Sequence, residues 1–485
     1  MKQKILLLSI LFCVQNIIFA QTDFEKYKQE QQQKFEEYQK ENQEKLKRYK
    51  DSLNLAYSEF LKKEWKNYNL TKPEPPIKTP IPTPPVFDNT KPKPEPEKIP
   101  NTPITPKPEP RPFPTPKPEP KPEPEKTIHS TFFGTDIQLQ KLSKIPTILS
   151  DISNNEIGIY WAELTEIQYL DIANDALRIK SELNLNDWGL YQLLGTIFKT
   201  HKPNGSVNEQ TIFTVFMLNQ MNYKAKIGKC NDELIPVVAF QNDVNNCNYF
   251  LYGGNSDKYY VIDPTQKYNS VSSCSADYVD AVNTMTLNIK SLPKFTNDVT
   301  TKSLNFNNQN YPLRYNRNLV EFYKDYPCVE FNIYAETPLD INLEQSMRDE
   351  MEANIKGQTQ TEAINWLLHF VQSAFDYKTD HEQFGYEKWF FAEETINSSF
   401  SDCEDRAILF AQLVRNFLKM PVVLIHYPGY HLSTAVKFND QSIQGDYVLV
   451  DNQKYLICDP TYINANLGMT MPQLKNIAVE IIKLK

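Results

Sequence analysis

The sequence predicts an α+β protein in which a helix packs on an antiparallel sheet, with that unit present twice behind a long N-terminal helix and a proline-rich linker. Three observations predict it. Residues 71–126 hold 22 of the 34 prolines, an eleven-residue apolar repeat precedes them, and a helix-then-strands order recurs after them at a separation of 197 residues. With 485 residues and 40% hydrophobic content, the chain is long enough for two or three domains. Its formal charge of −8 gives no general electrostatic attraction to nucleic acid, and none is expected as a partner.

Lys2 and Lys4 precede an apolar run from Ile5 to Phe12, and the chain reaches Ile17-Ile18-Phe19-Ala20 before turning polar at Gln21. Residues 1–20 therefore read as an export signal cleaved near Ala20, since a permanent span needs about 20 continuous apolar residues. The mature chain then belongs to a periplasm, outer envelope or extracellular space. It carries six cysteines, Cys230, Cys247, Cys274, Cys328, Cys403 and Cys458. An even number permits three disulfides, but the spacings match neither a dense disulfide scaffold nor a zinc site, and no metal or cofactor is expected.

Residues 21–70 read as one long helix. Phe24, Phe35, Leu46 and Tyr57 form one series of period eleven, and Tyr27, Tyr38, Tyr49 and Phe60 form a second. Eleven residues over three turns keep this stripe on one helix face with a slight right-handed drift. Such a stripe must be buried against something, and a partner helix in a homo-oligomer through residues 23–68 is the expected cover; an envelope surface is the alternative. The Lys-Pro and Glu-Pro alternation of residues 71–126 excludes helix and central strand, because each proline removes a donor and restricts its predecessor. It reads as a stiff spacer holding the C-terminal part away from its attachment.

From residue 127 the composition becomes globular. Segment 301–345 reads as connection or accessory strands, with strand-like alternation from Val329 to Tyr334, and 346–485 as the domain that carries chemistry. Within it, Ser401-Asp402-Cys403-Glu404-Asp405-Arg406-Ala407 opens a buried helix. Asp402 is placed to cap that helix and Asp405 to reciprocate, so Cys403 falls in the first turn, where free amides and the dipole favour a thiolate. Val422–His426 reads as a strand, Pro428-Gly429 as a turn, and a second strand starts at His431. Tyr447–Val450, an Asp451-Asn452 turn and Tyr455–Cys458 follow, the last ending at Asp459-Pro460-Thr461-Tyr462. The order is a helix headed by cysteine, a strand headed by histidine, and a strand ending in aspartate.

These Asp-Cys-Glu-Asp-Arg-Ala, Gly-Tyr-His and Cys-Asp-Pro-Thr-Tyr segments resemble the transglutaminase-like (papain-type) superfamily over residues 355–470. The resemblance implies a helix packed on an antiparallel sheet. It implies Cys403 as nucleophile, His431 as the base that takes its proton and protonates the leaving amine, and Asp459 as the orienter of His431. The Cys403 backbone N–H is the first oxyanion donor, with Asn397 and Trp389 as candidates for the second. His426 is a rival base on the preceding strand. Cys458 should point to the opposite face of its strand from Asp459, as core or a disulfide partner of Cys403. His369 and His381 lie upstream of Gln383–Trp389, a segment expected to shape the cleft rim.

With that pattern in hand, residues 127–300 read as a degenerate first copy. Ser206–Leu218 and Tyr223–Ile227 match the Cys403 helix and its following strand without a gap, and Lys258–Thr265 parallels the strand ending in Asp459. Ser206 stands at the nucleophile position in a capping box with Glu209, and no histidine follows, so this copy is expected to be non-catalytic, packing on the second copy or binding substrate. Taken together, the expected function is an exported cysteine-triad enzyme acting on amide bonds through a thioester, a peptidase or amidase with protein, peptide or cell-wall peptide as substrate. Protein crosslinking by the same triad and a non-enzymatic envelope scaffold are the competing readings.

Overall fold

The computed structural model describes residues 2–63, 65–73, 77, 80, 127–253 and 257–485, with side chains from residue 27 onward. The side chains around the expected cleavage near Ala20 and nearly all of the proline-rich segment lie outside what is described. Among the described residues no helix is long and apolar enough to cross a membrane.

Helix α1 spans Lys2–Leu61 and ends nine residues before the predicted boundary at 70. The Trp65 indole N–H caps the Leu61 carbonyl at 2.9 Å, and the chain turns into strand β1, Lys66–Asn69. Tyr68 of β1 stacks on Phe250 with centroids 4.4 Å apart. Tertiary pairing there overrides the helix-forming composition that misled the sequence reading. Tyr27, Phe35, Tyr38, Leu46 and Tyr49 are all exposed, whereas Lys50, Asn54, Tyr57, Ser58 and Leu61 are buried. The last three turns of α1 thus dock on the body of the protein, with Tyr57 of the aromatic series in the contact while the series members from Tyr27 to Tyr49 stay exposed.

After the hairpin β2 (Thr127–Phe132) and β3 (Thr135–Gln140) come four helices: α2 (Asn154–Leu164), α3 (Tyr169–Glu182), α4 (Asp187–His201) and α5 (Val207–Gln220). Strands β4 (Ala225–Cys230), β5 (Glu233–Ala239), β6 (Tyr249–Tyr252), β7 (Asp257–Val261) and β8 (Ser270–Ser273) follow. They form a six-stranded sheet in the order β1-β8-β4-β5-β7-β6. Thr71, just past β1, exchanges backbone bonds of 2.7 and 3.0 Å with Tyr249 of β6, which closes the sheet on itself. The proline-rich segment therefore leaves this unit at Thr71 and re-enters it at β2, whose hairpin packs on α3 and α4. It does not stand between α1 and the globular part, contrary to the predicted spacer.

The connecting region holds the hairpin β9 (Val299–Phe306) and β10 (Gln309–Asn316), then α6 (Arg317–Tyr323), α7 (Phe331–Glu336) and α8 (Ile341–Ile355). The predicted strand at Val329–Tyr334 is helical instead. Phe331, Tyr334 and Ala335, at helical spacing, are buried in α7, and its packing partner further along the chain is invisible to a local pattern.

The C-terminal unit comprises α9 (Gln360–Ser373), β11 (Asp376–Tyr377), α10 (Asp380–Phe384), α11 (Ala392–Asn397), β12 (Phe400–Ser401) and α12 (Cys403–Leu413). Strands β13 (Val422–Tyr427), β14 (His431–Lys437), β15 (Tyr447–Val450), β16 (Gln453–Cys458) and β17 (Glu480–Lys483) make a sheet ordered β15-β16-β14-β13-β17. Its pairings β13–β14, β14–β16 and β15–β16 repeat those of β4–β5, β5–β7 and β6–β7, all antiparallel. In each unit the strand added next to the first lies outside it, β8 beside β4 and β17 beside β13. The architecture is α+β, with one connection scheme used by both sheets. A continuous apolar core runs through both units, from Tyr57 and Trp161 to Phe410 and Leu432. Cys328 ties them further, donating its N–H to Asn246 Oδ1 at 3.0 Å and accepting from Asn245 N–H at 2.7 Å.

Candidate active site

Helix α12 starts at Cys403 and is buried at every position, packed against β13 and β14. Asp405 Oδ2 accepts the Asp402 N–H at 3.3 Å, the return half of the expected capping box, and its Oδ1 accepts the Phe390 N–H at 2.9 Å. Both halves of that capping box are present, and Asp402 Oδ2 also accepts the Asp380 N–H at 3.1 Å, which ties the helix start to α10.

His431 begins β14 directly opposite Tyr427, after a turn in which Gly429 takes φ +70°. The register places Tyr427 and His431 on the sheet face away from α12, with Ile425, Ala435 and Ile457, while Leu424, Leu432 and Cys458 face the helix. Cys458 is core, as expected, and none of the six described cysteines forms a disulfide. His431 Nε2 and Asp459 Oδ2 are 2.9 Å apart, and both residues are fully buried. Asp459 Oδ1 accepts the Thr461 N–H at 3.0 Å, and Gln372 Nε2 holds the Asp459 carbonyl at 3.0 Å. The second ring nitrogen, His431 Nδ1, is buried and makes no hydrogen bond.

Cys403 Sγ accepts the Leu432 N–H at 3.4 Å, one residue from His431, and donates to Glu404 Oε2 at 2.8 Å. The structure thus brings His431 and Asp459 into contact and sets the thiol beside the start of β14, without a hydrogen bond from thiol to imidazole. The expected lowering of the thiol does not hold. Burial, then the carboxyls of Glu404 and Asp402, push the Cys403 thiol well above its ordinary range, outweighing the helix terminus.

Around the thiol the structure gathers acids that the spacing did not reveal as a group. Carboxylate oxygens of Asp380, Asp402 and Glu404, all buried, lie within 4.8 Å of one another, and Asp380 Oδ1 and Asp402 Oδ1 have no donor. Among the described residues these three have the spacing to hold an oxygen-preferring cation, although no metal was expected from sequence. Burial and the neighbouring Asp402 charge push Glu387 up to about 7. The buried Arg406 guanidinium does not pair with the acids; it donates to Ser401 Oγ and to the Gln372 and Phe375 carbonyls at 2.9–3.2 Å. Only the run Asp402-Cys403-Glu404-Asp405 hinted at this charge density; Asp380 and Gln372 carried no signal.

Of the oxyanion candidates, the Cys403 backbone sits at the helix start. The Trp389 indole N–H is buried near the Glu387 carboxyl, its ring tilted by 31° against Phe331 with centroids 4.1 Å apart, one residue from the Phe390 contact with Asp405. Asn397 is excluded: it is exposed at the end of α11, and its Oδ1 accepts from Tyr315 OH at 2.8 Å, on the β9–β10 hairpin. His426, the rival base, sits on the opposite face of β13 from Tyr427, with Nδ1 3.0 Å from Glu480 Oε2. His369 is half-buried on α9, its affinity for a proton lowered by burial, and His381 is exposed on α10.

In the first unit, Ser206 Oγ accepts the Glu209 N–H at 3.2 Å and Glu209 Oε2 accepts the Ser206 N–H at 2.7 Å, completing the predicted capping box. Asp263 bonds Thr265 as Asp459 bonds Thr461, through the Thr265 N–H at 3.1 Å. Glu233 opens β5 opposite Cys230 as His431 opens β14 opposite Tyr427, so a carboxylate stands at the histidine position. Compared with known proteins, the chain matches no family model, no curated protein and no solved structure.

Proposed function

We propose that this chain is an exported cysteine-triad enzyme of transglutaminase-like type that acts on amide bonds of a protein or peptide through a thioester. The observation that carries the reading is the buried 2.9 Å pair of His431 Nε2 and Asp459 Oδ2, which leaves His431 Nδ1 unpartnered, one residue from the Leu432 N–H that Cys403 Sγ accepts. A buried imidazole nitrogen with no partner costs stability unless it has work to do.

In this reading Asp459 holds the imidazole, and Nδ1 takes the Cys403 proton as Sγ adds to the substrate carbonyl. The resulting oxyanion is held by the Cys403 N–H and the Trp389 indole. Collapse breaks the C–N bond, the departing amine takes the proton from His431, and a thioester remains. Water then adds, His431 accepting its proton, and the acid leaves with the thiol restored. Because the resting thiol is protonated, proton transfer to His431 must accompany attack. We assign hydrolysis as the second half-reaction; resolution by a lysine amine would make a crosslinker from the same residues.

The shared connection scheme supports reading the first unit as a duplicated copy without catalysis. The exposed aromatic face of residues 27–49 supports a homo-oligomer through α1. One observation favours a non-enzymatic module: Cys403 is fully buried and gives its proton to Glu404. Iodoacetamide labelling of purified protein at pH 6–8, mapped by mass spectrometry, separates the two. Labelling of Cys403 that slows in His431→Ala supports the enzyme; an inert Cys403, indifferent to His431, supports the module.

A further inference from the structure

The first unit keeps an open cleft where its connection scheme places the counterpart of the Cys403 site. Its volume is about 1110 Å3, at the upper end of small-molecule pockets. The start of α5, the start of β5 and the end of β7 converge there, bringing Ser206, Glu233 and Asp263 to one wall. None acts as a nucleophile–base pair, since Ser206 is committed to its capping box and Glu233 accepts from Lys267 Nζ at 3.2 Å and from the Tyr268 hydroxyl.

The wall is nevertheless rigidly built. Asn208 Oδ1 accepts the Leu234 N–H at 2.9 Å and Thr211 Oγ1 donates to the Leu234 carbonyl at 3.2 Å, pinning β5 to α5. Across the cleft, α4 presents Gln192, whose Oε1 is buried and has no donor.

The chemistry of the lining narrows the ligand. An anion is disfavoured: the first turn of α5 is capped by Glu209, Lys267 is paired with Glu233 at 3.2 Å, and Lys199 Nζ donates to the Gly205 carbonyl at 3.0 Å. A saccharide lacks its usual platform, because Tyr191 is the single aromatic in the lining and one ring face is covered by Trp188 at 4.8 Å. A lipid would meet a wall rich in hydroxyl and amide groups. Such a wall, with an unsatisfied acceptor and charges of both signs at its edge, matches an extended polypeptide, whose main chain alternates donors and acceptors.

We infer that the first unit binds an extended polypeptide segment in this cleft, through Gln192, Thr196 and the pinned start of β5. The site stands independently of the Cys403 chemistry, so binding is best read in full-length Cys403→Ala, where absence of turnover says nothing about it. Fluorescence anisotropy with fluorescein-labelled tryptic casein peptides should show saturable binding. Thr196→Trp, which fills the cleft, and Gln192→Leu, which removes the acceptor at similar size, should each weaken it at least tenfold without lowering the unfolding temperature. No binding at several hundred micromolar peptide, binding indifferent to both variants, or displacement by chitohexaose or inorganic phosphate would overturn the inference.

Discussion

The Leu432 N–H points at Cys403 Sγ across 3.4 Å, so the first residues of β14 are fastened to the head of α12 by the sulfur itself. This contact joins the thiol to the backbone one residue past His431, and it makes the sulfur both a structural acceptor and the proposed nucleophile.

If that reading holds, Asp459→Asn should leave the fold intact and cut amide turnover by about 10³–10⁴-fold, because the imidazole loses the partner that orients it. His431→Ala should cost at least as much. Steady-state kinetics on a peptide amide, with circular dichroism as the control for folding, check both.

Glu404 holds the Cys403 proton at 2.8 Å and raises the thiol by its charge. Glu404→Gln removes that charge while keeping an acceptor. Iodoacetamide labelling of Cys403 should then begin at lower pH and run several-fold faster at pH 7. An unchanged pH profile would mean that burial alone governs the thiol.

Glu393 is fully buried, with Oε1 accepting the Asp340 N–H at 2.6 Å, and burial raises it to about 7. A raised carboxyl favours the folded state while it is protonated. Its contribution is fully present below the unfolded value and is lost as pH rises through about 7. At about 1.4 kcal/mol for each tenfold change in proton affinity, the loss is at most about 3.5 kcal/mol. Thermal unfolding at pH 5 and pH 8 should show a drop that Glu393→Gln makes smaller, since the amide oxygen still accepts from Asp340.

Leu61 and Phe35 lie on the same helix with opposite surroundings, Leu61 fully buried and Phe35 58% exposed. Leu61→Ala should destabilise the protein by about 2–5 kcal/mol. Phe35→Ala should stay within about 0.5 kcal/mol in a monomer, and a larger loss that grows with protein concentration would report a partner over the aromatic face. Urea titrations at two concentrations distinguish these.

What the sequence made legible was local. His431 opens β14 and Asp451-Asn452 turns with positive φ, as residue types alone suggested. Cys403 heads its helix for the same reason: an apolar run begins just beyond a cluster of acids. What was not legible depended on distant chain. Lys66–Asn69 becomes a strand only because β8 and Phe250 are there to receive it, and Phe331–Glu336 becomes a helix against α12. The tight contact of Asp380 with Asp402 and Glu404 joins α10 to α12 across intervening structure, and no spacing rule encodes such a distance. Burial then reversed the electrostatic expectation at Cys403, because a buried thiolate loses its hydration beside the Glu404 and Asp402 carboxyls, while a helix terminus acts only through partial charges.

The return of the chain to one unit at both ends of the proline-rich segment changes how load would travel through the molecule. Tension applied to α1 passes into the body through Leu61, Lys50 with its 2.8 Å Asp280 pair, and the β1–β8 ladder. Residues 72–126 join Thr71 to β2, and both of those sit on the body through contacts of their own. Shortening that segment, or cutting it with a protease, would leave the helix anchored and the distance from it to Cys403 unchanged.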